Sequence, residues 1–417
     1  MVQIAIVAGS YIPEKCGVAH YTQHLRESLS LQNIESVVLT TQQAAQVASD
    51  PSVWGVVDDW DVTDLLPLTK AIHQSQAEIL HIQHAAGTYR FKRAIFLLPL
   101  LLRLTGWQKP IVTTIHEYGW WEWQPKWFPP QLLEICKMWG QQRGWWDRED
   151  GFLLTQSNAI IVTNQTAAKA LIERLPQQKA LVRQVPIGAN IPTATDASKA
   201  ARQAICQRYN WPEASVIFAF FGFLHPVKGL EILFSAFQQV VAVHPEARLL
   251  VIGGVESLAL PSDQAAQYWQ KLEAQITTLD LAEQIKMTGY LEADQTSKHL
   301  AGADIGVLPF NHGVTLKSGS LLALMGHALP VVATLAPDLD LELVQHPDVR
   351  FIPPRDVEAL TKELNYLFEN PELRKQLGYA GKTFSQKFSW STIAQAHENI
   401  YSTVLQPVSA LSNRSVI

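Results

Sequence analysis

The chain has 417 residues, 47% of them hydrophobic and 17% charged, with a formal net charge of −5. That composition excludes a disordered chain, and the mildly acidic balance excludes a nucleic-acid partner held by a basic surface. Cys16, Cys136 and Cys206 lie far apart, so neither a disulfide framework nor a zinc spacing is present, as suits a reducing cytoplasm.

At about 150 residues per domain, the length suggests two or three domains. In chain order, residues 2–8 form a continuous apolar run, the signature of a parallel strand buried on both faces. A Gly/Pro loop and a helix over 18–30 follow, then short strands over 35–40, 77–82, 110–115, 159–163 and 181–186. The polar, small stretch NIPTATDASKA at 190–200 reads as a linker. The pattern then restarts, with strands over 215–221, 248–252, 284–288, 304–308, 329–333 and 349–352, and a helix over 229–243. Strands alternating with helices predict an α/β fold: two Rossmann-like, doubly wound parallel sheets facing a cleft. The expected domains are 1–190, with a C-terminal helix at about 389–417, and 191–388. Ligands in such sheets bind beyond the carboxyl ends of the strands, and the informative residues follow strands here.

Three loops could hold an anion or a sugar. GSYIPEKCGVAHY (9–21) follows the first strand, and Gly17 at the start of a helix permits close backbone approach; such a loop is equally a plain tight turn. GFLHPVKG (222–229) places Gly222 after a strand and Lys228 at a helix start, a diphosphate clamp or a solvated surface lysine. In PFNHGVTLKSGSLL (309–322), Ser318, Gly319 and Ser320 open a helix running to about His327, an anion or ribose site or an ordinary serine cap.

Histidines mark the other sheet. His81 and His84 end one strand and His116 ends the next, where an imidazole can orient a sugar hydroxyl or simply be hydrogen-bonded in the core. His20 on the first helix is a further candidate. No histidine–carboxylate grouping has metal-site spacing. Seven of the thirteen tryptophans, among them Trp120 and Trp121, fall within 27 positions after His116, lining an acceptor groove or forming a local core. Residues 89–109 mix bases with leucines. They read as a peripheral membrane contact or, since 96–102 are apolar all round, as a buried helix with basic ends. The N-terminus MVQIAIVAGSYIPEK is too early broken for a signal peptide, and no apolar run reaches about 20 residues, the span of a membrane.

Together these motifs resemble the GT-B glycosyltransferases, in particular the retaining family 4. PEKCGVAHYTQHL is similar to that family's donor loop and first helix, IVTTIHEYG to its strand ending in histidine, and VPIGANI to its stretch before the linker. FFGFLHPVKGLEILFSAF resembles its phosphate-clamp segment, KMTGY…LAGADIGVLPF…LLALMGHALPVVAT its second-domain core, and FSWSTIAQAHENIY its C-terminal crossing helix. The resemblance covers about residues 1–405. It implies a metal-independent, cofactor-free transfer that retains the anomeric configuration, from a nucleotide-sugar to a glycan or lipid-linked acceptor in polysaccharide or cell-envelope biosynthesis; the expected place is the cytoplasm or the inner face of its membrane.

The same resemblance assigns roles. Gly17 would face the donor phosphate, His116 would bind a hydroxyl of the transferred sugar, and Lys228 would neutralise the leaving diphosphate. Gly222, Lys317, Ser318, Gly319 and Ser320 would line the donor, and His20, His84, Trp120 and Trp121 the acceptor. Two departures stand out: Phe223 replaces a frequent arginine, and Thr315 and Ala323 replace the family's glutamate pair, the second of which usually holds the ribose. Lys317 and the serines are the expected compensation. The competing readings are a non-catalytic donor-binding partner of a transferase, which the missing glutamates favour, and another GT-B enzyme such as a nucleotide-sugar epimerase.

Overall fold

The computed structural model describes residues 2–119, 122, 124–125, 128–193, 198–255, 262–337, 341–344 and 348–406. The chain divides into two compact units, 1–186 with 390–417, and 187–389.

The first unit is built on a parallel sheet of seven strands: β1 (Val2–Ala8), β2 (Ile34–Thr41), β3 (Val53–Val57), β4 (Ile79–His84), β5 (Ile111–Ile115), β6 (Ala159–Val162) and β7 (Val182–Gln184), in the order β3-β2-β1-β4-β5-β6-β7. Ile4, Ile6, Leu80, Ile82, Ile111 and Val112 are fully buried, which is why these strands read as unbroken apolar runs. β3 lies at the sheet edge with a half-exposed pattern, and it is the strand that hydropathy does not announce. The helix Trp390–Leu405 returns to this unit and packs on the helix Gly17–Ser30, with Tyr21 edge-on to Trp390 at 5.2 Å.

The second unit has a parallel sheet of six: β8 (Val216–Phe221), β9 (Ala247–Ile252), β10 (Ile285–Met287), β11 (Ile305–Leu308), β12 (Val331–Thr334) and β13 (Val349–Ile352), ordered β10-β9-β8-β11-β12-β13. The core fills around Phe218, Phe220, Phe234 and Phe237, all fully buried. In both sheets the strand order reverses beside the first strand, between β1 and β4 and between β8 and β11. A crevice opens at such a reversal because the flanking connections run to opposite faces. The loops after β1, β4, β8 and β11 therefore border the places in each unit best shaped for a ligand.

Candidate functional site

In the second unit the loops after β8 and β11 are bound to each other. Asn311 N donates to Val227 O and Asn311 Nδ2 to Pro226 O, both at 2.9 Å. The turn Pro226–Lys228 is closed by Gly229 at φ +68°, where a Cβ would stand 2.0 Å from Pro309 O. Only glycine fits that left-handed, crowded position, so Gly229 at the helix start is dictated by the backbone. Gly222, at φ +145°, brings the end of β8 against Ser320, whose Oγ would lie 2.9 Å from an added Cβ.

This frame sets Lys228. Its Nζ sits 3.7 Å above the ring of Phe310, and no ion pair of Lys228 occurs among the described residues. Burial without a carboxylate pushes the ammonium down from 10.5 to about 8. A desolvated cation over a π face is poised for an anion. Beside it the helix Gly319–Gly326 begins, capped by Ser318 Oγ, which accepts from Leu321 N at 3.2 Å. Gly319 has nothing within 4 Å of where a Cβ would be, so the helix start is open. Ser320 is half-buried and Lys317 exposed. Thus Gly222, Lys228, Ser318, Gly319 and Ser320 border one strand-order reversal. Of the two glutamate replacements, Thr315 accepts from Lys317 N at 3.4 Å, while Ala323 is buried in the core. Phe223 stacks on Tyr290, centroids 6.3 Å apart and planes 15° apart, so this departure from the family pattern enters an aromatic pair.

In the first unit Gly17 has nothing within 4 Å of a hypothetical Cβ, leaving the helix start open, and His20 is half-buried one turn further on. His116 follows β5, edge-on to Tyr21 at 4.8 Å, with Nε2 2.8 Å from Gln83 Oε1. His81 is wholly buried, meeting Thr114 Oγ1 at 2.7 Å and Tyr401 Oη at 2.7 Å.

His84 corrects the expectation of an acceptor contact. It is 1% exposed, its ring stacks on Tyr89, and its Nε2 lies 2.7 Å from Asp150. Burial opposes its charge, yet the Asp150 carboxylate prevails and leaves the imidazole raised above its ordinary value. Asp150 belongs to a turn, 147–151, that sequence reasoning passed over. Asp147 there accepts from Glu149 N, Asp150 N and Tyr118 Oη, and burial together with the neighbouring Asp150 pushes its carboxyl above the usual carboxylate range. Glu149 accepts from Gly119 N at 2.8 Å and from Arg174 at 2.7 Å. The turn thus braces the segment that leaves His116. The run DRED was the available signal, but acidic runs are usually solvated.

Trp120 and Trp121 lie outside the described residues. Trp139, Trp145 and Trp146 form a cluster in which Trp145 is edge-on to both others, Trp139 and Trp145 at 4.7 Å, with Arg143 over Trp139 at 4.3 Å. In the segment 89–109, expected either as a membrane contact or as a buried helix with basic ends, Phe91, Leu97 and Leu104 are exposed. Ile95, Phe96, Leu98 and Leu102 are buried, and the bases are engaged by the protein itself: Arg90 by Asp59, Lys92 by Asp61, Arg93 by Glu122 O, Arg103 by Trp107 O and Lys109 by Ala77 O. No helix among the described residues is long and apolar enough to cross a membrane.

Residues 201–384, nearly all of the second unit, match the family model of Glycosyl transferases group 1. The second unit is a group 1 glycosyltransferase domain. The chain as a whole is a glycosyltransferase of GT-B architecture. It is 23% identical over 406 residues to the GDP-mannose-dependent monoacylated alpha-(1-6)-phosphatidylinositol monomannoside mannosyltransferase of Corynebacterium glutamicum, covering 95% of this chain and 96% of that one. It is 25% identical over 247 residues to the D-inositol 3-phosphate glycosyltransferase of Segniliparus rotundus, covering 59% of this chain and about half, 52%, of that relative. Among solved structures, a glycosyltransferase from Rickettsia africae superposes with TM-score 0.72 at 14% identity over 97% of this chain and 99% of that one. Anabaena HepE in complex with UDP and glucose does so with TM-score 0.69 at 15% identity over 97% and 100%.

Proposed function

We propose that this glycosyltransferase moves a hexose from a nucleotide-sugar onto a glycan or lipid-linked acceptor in polysaccharide or cell-envelope biosynthesis, retaining the anomeric configuration and using no metal, in the cytoplasm. The observation that carries this reading is Lys228, a desolvated ammonium over Phe310 beside the open start of the helix Gly319–Gly326. The second unit then holds the donor. As the sugar–phosphate bond breaks, negative charge grows on the leaving diphosphate. Lys228 and the free N–H groups at the helix start meet that charge without having to reorganise, which lowers the barrier. A phosphate oxygen of the donor takes the proton from the attacking hydroxyl, so no protein base is needed. Gly17 permits approach to the donor phosphate, and His116 contacts a hydroxyl of the transferred sugar.

The nucleotide is held differently from the family pattern. Ala323 offers the ribose no carboxylate, and Lys317, Ser318 and Ser320 take over the polar contacts. Two relatives support the substrate class: one is a GDP-mannose-dependent mannosyltransferase acting on an acylated inositol lipid, and a structural neighbour was solved with UDP and glucose.

The test is a thermal-shift screen of the whole protein against UDP-, GDP- and ADP-sugars in chelator. A ligand at a hundredfold excess over its Kd adds about 2.7 kcal/mol to the native state, so one nucleotide class should raise Tm by several degrees. No shift with any donor would sink the proposal.

A further inference from the structure

Gln83 is the penultimate residue of β4 and is fully buried. A polar side chain there must be paired, and both ends of its amide are. Oε1 lies 2.8 Å from His116 Nε2 and the amide nitrogen 3.3 Å from His81 Nε2. Residues 81 and 83 share one face of the strand, because side chains alternate; His116 follows the neighbouring strand, its backbone N–H donating to His84 O.

The chemistry of the amide orders the protons. A carbonyl oxygen only accepts, so His116 donates from Nε2, and whenever the ring is neutral its Nδ1 is an acceptor. At the other end an N–H only donates, so His81 accepts at Nε2. His81 is suited to that: burial, with His397 and His116 nearby, keeps its pKa well below the ordinary value and the ring neutral. Its Nδ1 then carries the proton and donates to Tyr401 Oη at 2.7 Å, on the C-terminal helix. Tyr401, His81, Gln83 and His116 form one directional chain.

We propose that Gln83 is the positioning residue of His116: it fixes the imidazole as the Nε2–H tautomer and sets its ring plane, through an anchor on His81 and the C-terminal helix. The consequence is chemical selectivity. Any contact made through Nδ1 of that neutral ring is one in which the ring accepts, which suits a sugar hydroxyl and disfavours a carbonyl or phosphate oxygen. This inference rests on the reading of His116 as the contact to the transferred sugar.

Full-length protein labelled with 15N at histidine alone reports the tautomer directly, with His116→Ala identifying the signal. Wild type without ligand is expected to show His116 as Nε2–H. Gln83→Met, close in volume, should convert it to a mixture of tautomers, whereas Gln83→Glu, which keeps an oxygen acceptor, should retain Nε2–H. With the donor found by thermal shift, Gln83→Met should lower kcat roughly tenfold, the worth of one well-made hydrogen bond, with KM for the donor little changed and Gln83→Glu recovering part of the loss. A wild-type His116 protonated on Nδ1, or a Gln83→Met tautomer identical to wild type, overturns the proposal; the first needs no variant to fold. A tautomer that moves as expected in a protein that turns over no donor supports the positioning and sinks the transferase role of His116.

Discussion

Replacing Lys228 by methionine should make the empty protein more stable and the nucleotide site weaker. The ammonium is held at about 8 against 10.5 for an ordinary lysine, by burial over Phe310 with no ion pair among the described residues to offset it. Keeping it charged at pH 7 costs about 3 kcal/mol by that difference. Lys228 is partly exposed, so solvent trims the figure to about 1–3 kcal/mol. Methionine keeps the stem's packing and removes the charge. Because the folded value lies below the unfolded one, the cost is complete below pH 8 and is relieved between pH 8 and 10.5. Urea unfolding should therefore find Lys228→Met more stable than wild type at pH 7, with the gap closing by about pH 10. The nucleoside diphosphate loses a charge-assisted hydrogen bond of about 1.5–3 kcal/mol, so its Kd should rise by about tenfold to a hundredfold in calorimetric titration. Wild-type binding of UDP, GDP or ADP should itself weaken above pH 8, as the free enzyme sheds the proton that the bound phosphate needs. A variant less stable than wild type at pH 7, or one that binds the diphosphate equally well, would refute the reasoning.

Three further outcomes follow from the same geometry. Asp150→Ala strands His84 as an uncompensated buried group and should cost about 3–5 kcal/mol in denaturant titration; a loss below about 1 kcal/mol would mean the pair is not closed in solution. Gly229→Ala puts a Cβ 2.0 Å from Pro309 O at φ +68° and should lower Tm by several degrees while also weakening nucleotide binding, since the turn bearing Lys228 must shift. His397 is buried neutral and held down to about 4. With a depressed folded value, its contribution is present above the unfolded value of about 6.5 and is lost as pH falls towards 4. His397→Gln should flatten the fall in stability between pH 6.5 and 4.5, and an unchanged slope would remove His397 from the acid response.

Much of the fold is legible in the sequence for a simple reason. Strands buried on both faces carry no alternation, only apolar runs, and the run over 2–8 coincides with β1 as observed. Boundaries elsewhere shift by one or two residues, as where the expected 77–82 is β4 at Ile79–His84. β3 escaped because, at an edge, Trp54 and Val56 are only partly buried and Gly55 is exposed, so nothing forces a run there. Of the site, the loops after β8 and β11 could be found from Gly, Lys and Ser following strands. His84 could not be assigned, because the residue that turns it inward, Asp150, is 66 positions away.

The sequence by itself determined two doubly wound sheets and the strand ends that bear Gly17, His116, Lys228 and Ser318–Ser320, because periodicity and turn chemistry are local. Only the tertiary structure decided what those side chains meet. No local pattern says that Lys228 lies over Phe310, or that Tyr401 reaches His81 across 320 positions. Charge state, tautomer and openness are set by neighbours brought together through packing, and packing is a property of the whole unit.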